Sequence, residues 1–294
     1  MTNEVPELRK LNTVLHCSGL DNLPARITVK EHMYILAEIK EHLDDWELDL
    51  FRSTCFGHFL DVDAGWTEGA KVAQRNTFAD QYVHFLMLRR MQTLKMKELW
   101  FLVEGKPTRF SIDEFALVIG LRCHDEPILL QQTRVKLKNR LCNEHFNSSL
   151  QIKLQDLTHC FRNLCKKENS GKEKKGKKQK KKITQKCGRE DRVKIALVWF
   201  LEGALLSSDP KKNISEFHLS LVDELDIFNE YPWGKVAFDM TFDSLWVKNL
   251  AQKYRDRLRK SPHKQLPNVK ETYTLYGFPF AFQVSILLFN QLCS

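Results

Sequence analysis

A chain of 294 residues with 43% hydrophobic and 11% aromatic content can bury the core of one large domain or two small ones. Its formal charge of +9 suggests nucleic acid only until the charge is located: residues 166–192 hold thirteen Lys or Arg against four Asp or Glu, and the rest of the chain carries 33 of each sign. Eight cysteines without a dense framework, no signal-peptide-type start, and a longest apolar run near Ser285–Phe289, well short of the roughly 20 residues of a membrane helix, imply a soluble intracellular protein with free thiols and no membrane partner.

Residues 1–23 read as a flexible polar arm. Thr28 and Glu31 offer a capping box, and Met33, Leu36, Ile39 and Leu43 follow at helical spacing, which predicts a first helix from about Val29 to Leu43. Trp46, Leu50, Phe51, Phe56 and Phe59 form a second apolar group, and residues 61–77, with Gly65 and Gly69, read as a loop. Phe78, Tyr82, Phe85, Leu86 and Arg89 then mark an amphipathic helix ending near Met91.

The stretch from Glu98 to Cys123, ELWFLVEGKPTRFSIDEFALVIGLRC, is the most informative. Leu99, Phe101 and Val103 alternate with Trp100, Leu102 and Glu104, so each set faces one side of an extended segment, and two apolar faces predict a buried strand. Gly105 and Pro107 turn the chain so that Thr108–Phe110 returns as a small hairpin. Ser111 and Glu114 form a capping box, and Ile112, Phe115, Ala116 and Ile119 share one face of a helix that Gly120 stops in the left-handed conformation. These residues include no nucleophile, metal-ligand set or phosphate cradle, so the stretch specifies a fold and no reaction.

Farther on, Leu137, Leu141, Phe146, Leu150, Leu154, Leu157 and Phe161 predict helices with loosely defined edges. DRVKIALVWFLEGALLSSDP reads as a helix apolar on all sides, the mark of a buried element, ended by Pro210. Phe217, Leu221, Leu225 and Phe228 predict one amphipathic helix, closed by Tyr231–Gly234. Phe238, Phe242, Leu245 and Trp246 begin another, which runs into the cationic stretch Lys248–Lys264. The chain thus reads as a mainly α-helical, multi-helix globular domain with one small β-hairpin. Residues 24–165 and 193–284 form its two parts, a disordered lysine-rich linker occupies 166–192, and 285–294 is expected to be a divergent or truncated tail. The buried helix needs partners from the first part, so both are expected to pack into one core.

The hairpin stretch resembles the signature of a plant domain-of-unknown-function family, E-L-W-F-hydrophobic-V-x-G-x-P-x-R-F-S-x-x-E-F-A-L-V-T-G-L-x-C. Trp100, Phe101, Gly105, Arg109, Phe110, Ser111, Glu114, Phe115 and Gly120 stand in matching places, and Ile119 departs conservatively. FGHFL at Phe56–Leu60, LEGALLSSDP, NEYPWGKVAFD and LYGFPFAFQV extend the resemblance, whereas SILLFNQLCS replaces the family's W-x-x-E-x-I-P continuation. The resemblance implies a helical domain of transposon-derived proteins that precedes a SUMO-protease-like cysteine peptidase domain. It implies no activity for the domain itself, and no peptidase domain is expected in this chain.

Two basic segments are the candidate functional sites. Lys172, Lys174, Lys175, Lys177, Lys178, Lys180, Lys181 and Lys182 suit contact with an import receptor or phosphate, with an inert solvated linker as the bland alternative. Without interleaved aromatics they make no stacking platform for single strands. Lys253, Arg255, Arg257, Arg259 and Lys260 are candidate DNA or RNA contacts, or simply a helix's wet face. Cys187 lacks the positioned base a thiol protease needs, so no catalytic residue is assigned. His159, Cys160 and Cys165 have no second half-site for zinc, and Asp44, Asp45 and Asp49 read as an acidic helix face. No cofactor motif is present. The expectation is a non-catalytic nuclear interaction or accessory module, with a nucleic-acid-binding module or a peptidase-protein remnant as alternatives.

Overall fold

The chain folds, in order, as β1 (Ala25–Val29), α1 (Tyr34–His42), α2 (Asp45–Arg52), a 3-10 turn (Gly57–Leu60), α3 (Asp80–Leu88), β2 (Leu99–Val103), β3 (Lys106–Phe110), α4 (Ile112–Ile119), α5 (Arg140–His145) and α6 (Leu154–Asn169). It continues as α7 (Arg189–Phe200), a π turn (Leu201–Leu205), α8 (Glu216–Leu221), α9 (Leu225–Glu230), α10 (Trp233–Trp246), β4 (Glu271–Leu275) and α11 (Pro279–Leu292). This computed structural model describes residues 25–29, 32–61, 80–127, 140–147, 151–169, 188–246 and 271–292. The fold is mainly helical and contains the expected hairpin, together with a second two-stranded sheet in which β1 and β4 run parallel. The chain divides into two compact units, one of Met1–Lys30, Phe78–Cys123 and Trp233–Ser294, the other of Glu31–Thr77 and His124–Pro232.

In the first unit, β2 and β3 pair antiparallel with Leu99 opposite Phe110 and Trp100 opposite Arg109. Leu99, Phe101 and Val103 are buried, whereas Trp100 and Leu102 are half-buried, so the second apolar face is only partly covered. Glu104 and Gly105 make the turn with positive φ of 49° and 78°, the type I′ pattern that matches the twist of a hairpin. Pro107, which cannot donate to a further strand, lies on β3.

The capping box at the start of α4 forms as the sequence predicts. Glu114 Oε2 accepts from the Ser111 amide at 2.8 Å and from its hydroxyl at 2.6 Å, while Ser111 Oγ accepts from the Asp113 amide at 3.2 Å. Gly120 ends the helix with φ 66°. Phe110 then packs on Phe282 of α11 at 4.9 Å and on Phe238 of α10 at 5.8 Å; Phe101 meets Phe282 at 5.2 Å and Phe115 meets Phe238 at 5.6 Å. Residues 285–292, expected to begin a divergent tail, continue α11, with Ser285 and Ile286 buried.

Two expectations fail here. Thr28 does not cap a helix: it pairs with Thr274 across β1 and β4, and the first helix starts at Tyr34 without a side-chain cap. On α3 the buried face is Val83, Leu86 and Met87, while Phe85 faces outward beneath the Arg89 guanidinium, 3.4 Å from its ring centroid. An arginine over an aromatic face offsets part of the ring's exposure, which lets an apolar residue leave the core.

The second unit is built on α7. All ten residues from Asp191 to Phe200 are buried, the apolar ones as a helix apolar on nearly all sides requires and Asp191, Arg192 and Lys194 with ion-pair partners, and they pack against α1, α2 and α6. Phe200 contacts Phe59 at 5.1 Å and Phe56 at 5.3 Å, and Trp199 contacts Phe161 at 5.0 Å. Arg189–Arg192, expected at the end of the basic linker, are the first turn of this helix, and Arg192 is buried against Glu47 of α2. The helix predicted over Phe217–Phe228 is two, α8 and α9, broken between Leu221 and Leu225.

Candidate functional site

The signature residues are largely taken up by folding. Phe101, Phe110 and Phe115 are core, and Ser111, Glu114 and Gly120 start and stop α4. On the outer face of the hairpin, Trp100 Nε1 donates to Glu98 Oε2 at 2.9 Å. Arg109 Nε donates to Glu114 Oε1 at 2.8 Å, and its guanidinium lies 3.4 Å from Asp113 and 3.8 Å from Glu98. This lattice of opposite charges fixes β3 against α4 and leaves each partner engaged.

Among the described residues of the second unit, two polar clusters combine a histidine with buried carboxylates. At the first, Arg140 at the start of α5 reaches Asp191 Oδ1 at 2.7 Å, Asp223 Oδ1 at 2.9 Å and Glu144 Oε2 at 3.0 Å, and His145 Nε2 stands 3.2 Å from Asp191 Oδ2. Burial pushes the Asp191 carboxyl up, but the hydrogen bonds from His145 and Arg140 outweigh it and bring the carboxyl down to about 2. Ligand-type atoms of Glu144, His145 and Asp191 fall within 4.8 Å of one another, the grouping among the described residues with metal-ligand character. Arg140 Nη1, however, already lies 3.0 Å from Glu144 Oε2 and 3.1 Å from Asp191 Oδ2. The guanidinium therefore supplies the positive charge a metal would bring.

Cys142 shares α5 with His145, which resembles the residue types of a thiol enzyme. Its thiol is pushed up by burial and further by Glu216, so it is a poor source of thiolate.

The second cluster surrounds Glu202 on the π turn, a buried carboxylate. His218 Nδ1 is 2.6 Å from Oε1, Ser208 Oγ donates to Oε2 at 2.8 Å, and the Ser215 amide reaches Oε1 at 3.4 Å. Burial raises this carboxyl, and the bonds from His218 and Ser208 lower it further than burial lifts it. Serine and histidine both point at the carboxylate, so the serine has no base in the order a nucleophilic triad needs. The cluster clamps α8 to the end of α7.

The other candidate residues that the structure describes are not brought together. On α6, His159 is exposed, Cys160 half-buried and Cys165 buried. Asp44 caps α2 and pairs with Arg189 at 2.6 Å, while exposed Asp49 meets Arg52 at 3.5 Å. The lysines from Lys172 to Lys182, Cys187, and Lys253, Arg255, Arg257, Arg259 and Lys260 lie outside the described residues.

One surface feature escaped the sequence reading. Between α3 and β2, Leu94 is 102% exposed and Met96 84%, and the lysines that alternate with them are about half exposed while reaching acidic partners. Lys95 Nζ is 3.8 Å from Glu98, and Lys97 Nζ is 2.9 Å from Asp239 Oδ1. The only signal in sequence was the alternation in Thr93–Lys97, T-L-K-M-K, which is too short to separate a strand edge from a loop.

Residues 87–244, more than half of the chain, match the family profile described as Domain of unknown function (DUF1985). The chain belongs to the DUF1985 family. The span matched to DUF1985 runs from the end of α3 to the last turn of α10 and contains the hairpin, α4 and the buried α7. The DUF1985 core nevertheless draws on residues outside that span, since Phe282 of α11 packs on both strands of the hairpin. No curated protein and no solved structure matches the chain.

Proposed function

We propose that this DUF1985 protein is a non-catalytic interaction module of the nucleus. The carrying observation is the contrast between its polar clusters and its surface. Arg140, Asp191 and Asp223, like Glu202, His218 and Ser208, spend their hydrogen bonds inside the fold, whereas Leu94 and Met96 are held out in solvent. A site for chemistry keeps reactive groups facing a substrate; a site for association keeps apolar side chains there. In this reading the lysines from Lys172 to Lys182 engage an import receptor. The wider setting is that of the signature resemblance, a plant transposon-derived protein family whose members carry a SUMO-protease-like peptidase domain.

Titrating unrelated duplex and single-stranded DNA across a salt series tests the reading, with the full chain beside a version lacking Lys172–Lys182. The expected result is weak binding that disappears with the deletion. Binding that survives it and falls with a log-log slope of roughly −0.9 per duplex phosphate engaged would make the folded unit a nucleic-acid-binding module instead.

A further inference from the structure

The two strands of the parallel sheet are fastened to the fold unequally. On β4, Tyr273 is buried with its hydroxyl 3.2 Å from His84 Nδ1, and Leu275 is fully buried. Just beyond it, the Tyr276 carbonyl accepts from Ser244 Oγ at 3.1 Å and the Phe278 amide donates to Thr241 Oγ1 at 2.7 Å. β1 is held more lightly. Of its described side chains only Ile27 is buried, Thr28 and Val29 are half-buried, and the Thr28 hydroxyl has no hydrogen-bond partner among the described residues. The five-residue ladder to β4 and packing on α3 keep it in place. Two strands of this length are marginal by themselves, and parallel pairing is the weaker kind per residue.

The path of the chain lets β1 move alone. It belongs to the first unit, but the chain leaves that unit after Lys30, and the whole stretch Glu31–Thr77 separates β1 from the next segment of its own unit. His32 is already fastened in the second unit, its amide donating to the Gly203 carbonyl at 3.1 Å. Only Lys30 and Glu31 stand between Val29 and that bond. Releasing β1 therefore breaks one ladder and one packing contact, while the hairpin, α4, α10 and α11 keep the aromatic contacts that join them.

The edge so uncovered already has a strand that fits it. Ala25–Val29 pairs with Glu271–Leu275 in one register, Ile27 opposite Tyr273 and Val29 opposite Leu275, and the same residues of another copy offer the same ladder and side chains. Exchange of an identical element between copies keeps the contacts of the closed chain and changes only the connector. We propose that β1 is an exchangeable strap whose partner is β4 of a second copy of this chain, the two copies trading strands reciprocally. The inference goes beyond the interaction reading and does not depend on it. The tether between β1 and its own β4 supplies an effective concentration on the order of 1 mM, so the exchanged dimer is a minor species at hundreds of micromolar, and covalent capture accumulates it.

Thr28 and Thr274 are register partners, and adjacent strands lie about 5 Å apart, within the span of a disulfide. A full-length Thr28→Cys chain mixed with a full-length Thr274→Cys chain under mild oxidation joins those positions when β1 of one copy lies on β4 of the other. Leu94→Cys, at a fully exposed position, takes the place of Thr274→Cys as the control for random collision. At about 0.3 mM protein, with linked peptides identified by mass spectrometry, the link between positions 28 and 274 should form about tenfold faster than that between 28 and 94. A link no faster than the control overturns the proposal. Hydrogen exchange of the unsubstituted chain gives a second reading that needs no cysteine variant to fold: the ladder amides of β1 should exchange about tenfold faster, or more, than those of β2. Equal protection would mean that β1 opens only with its whole unit, which also overturns the proposal.

Discussion

Arg192 Nε donates to Glu47 Oε1 at 2.6 Å although the two residues are 145 positions apart, and both side chains are buried. Glu47 has a second duty, since its Oε2 accepts from the Asp44 amide at 3.0 Å and closes the cap of α2. One carboxylate thus anchors α7 and starts the helix that packs on it.

Removing one partner leaves a buried charge uncompensated, so Arg192→Met should cost about 3–5 kcal/mol in urea unfolding. Glu47→Met/Arg192→Met should recover much of that loss, short of the ~1 kcal/mol that the cap contributes. A double variant as unstable as the single would show that the pair's geometry, not the orphaned charge, controls stability.

Acid should weaken the second unit through Asp191. Its folded value of about 2 lies below the ordinary carboxylate value, so its contribution is complete above the unfolded value near pH 4 and is lost as pH falls through about 2. The contribution is at most about 2 kcal/mol. Glu202, also held below its usual range, acts in the same direction. Urea titrations between about pH 5 and pH 2 should show a steep decline for the wild type and a shallower one for Asp191→Asn. Equal slopes would remove Asp191 from the account.

Two glycines should respond unequally. Gly120→Val forces a branched side chain into φ 66° and should cost about 1 kcal/mol or more. Gly277 has φ 79°, and a Cβ there would lie 2.3 Å from Thr241 Oγ1 and 2.5 Å from its amide nitrogen. That oxygen also accepts from the Phe278 amide at 2.7 Å, so it cannot readily withdraw. Gly277→Ala should therefore be the worse, about 2–3 kcal/mol, with melting temperatures giving the order.

The Cys123 thiol is pushed up to about 11 by burial, against a smaller opposing pull from Lys235. At pH 8 roughly a thousandth of it is thiolate, so native-state alkylation followed by mass spectrometry should find Cys123 nearly unlabelled. Rapid labelling would mean that the thiol is far better solvated than its packing implies.

What the sequence made legible was local. The hairpin turn, the Ser111–Glu114 cap, the Gly120 stop and the all-round burial of α7 each follow from residues within a turn or two of one another. What it hid depends on distance. Thr28 reads as a cap until Thr274 pairs with it, and Arg192 reads as part of a solvated basic run until Glu47 meets it. Phe85 looked like core because aromatic residues usually are, and only the stacked Arg89 explains its place outside. No periodicity marks a π turn or assigns His218 to Glu202 sixteen residues earlier.

The pairing of Ala25 with Glu271 sets a schedule for synthesis. On the ribosome β1 emerges before β4, which follows only after more than two hundred further residues, roughly ten to fifty seconds later at 5–20 residues per second. During that interval the backbone groups of β1 that will bond to β4 have no mate, while α1, α2, α6 and α7 are already complete. Of the described strands the first to be made is among the last to be secured, and in that window a nascent chain is most exposed to chaperones and to pairing with the wrong edge.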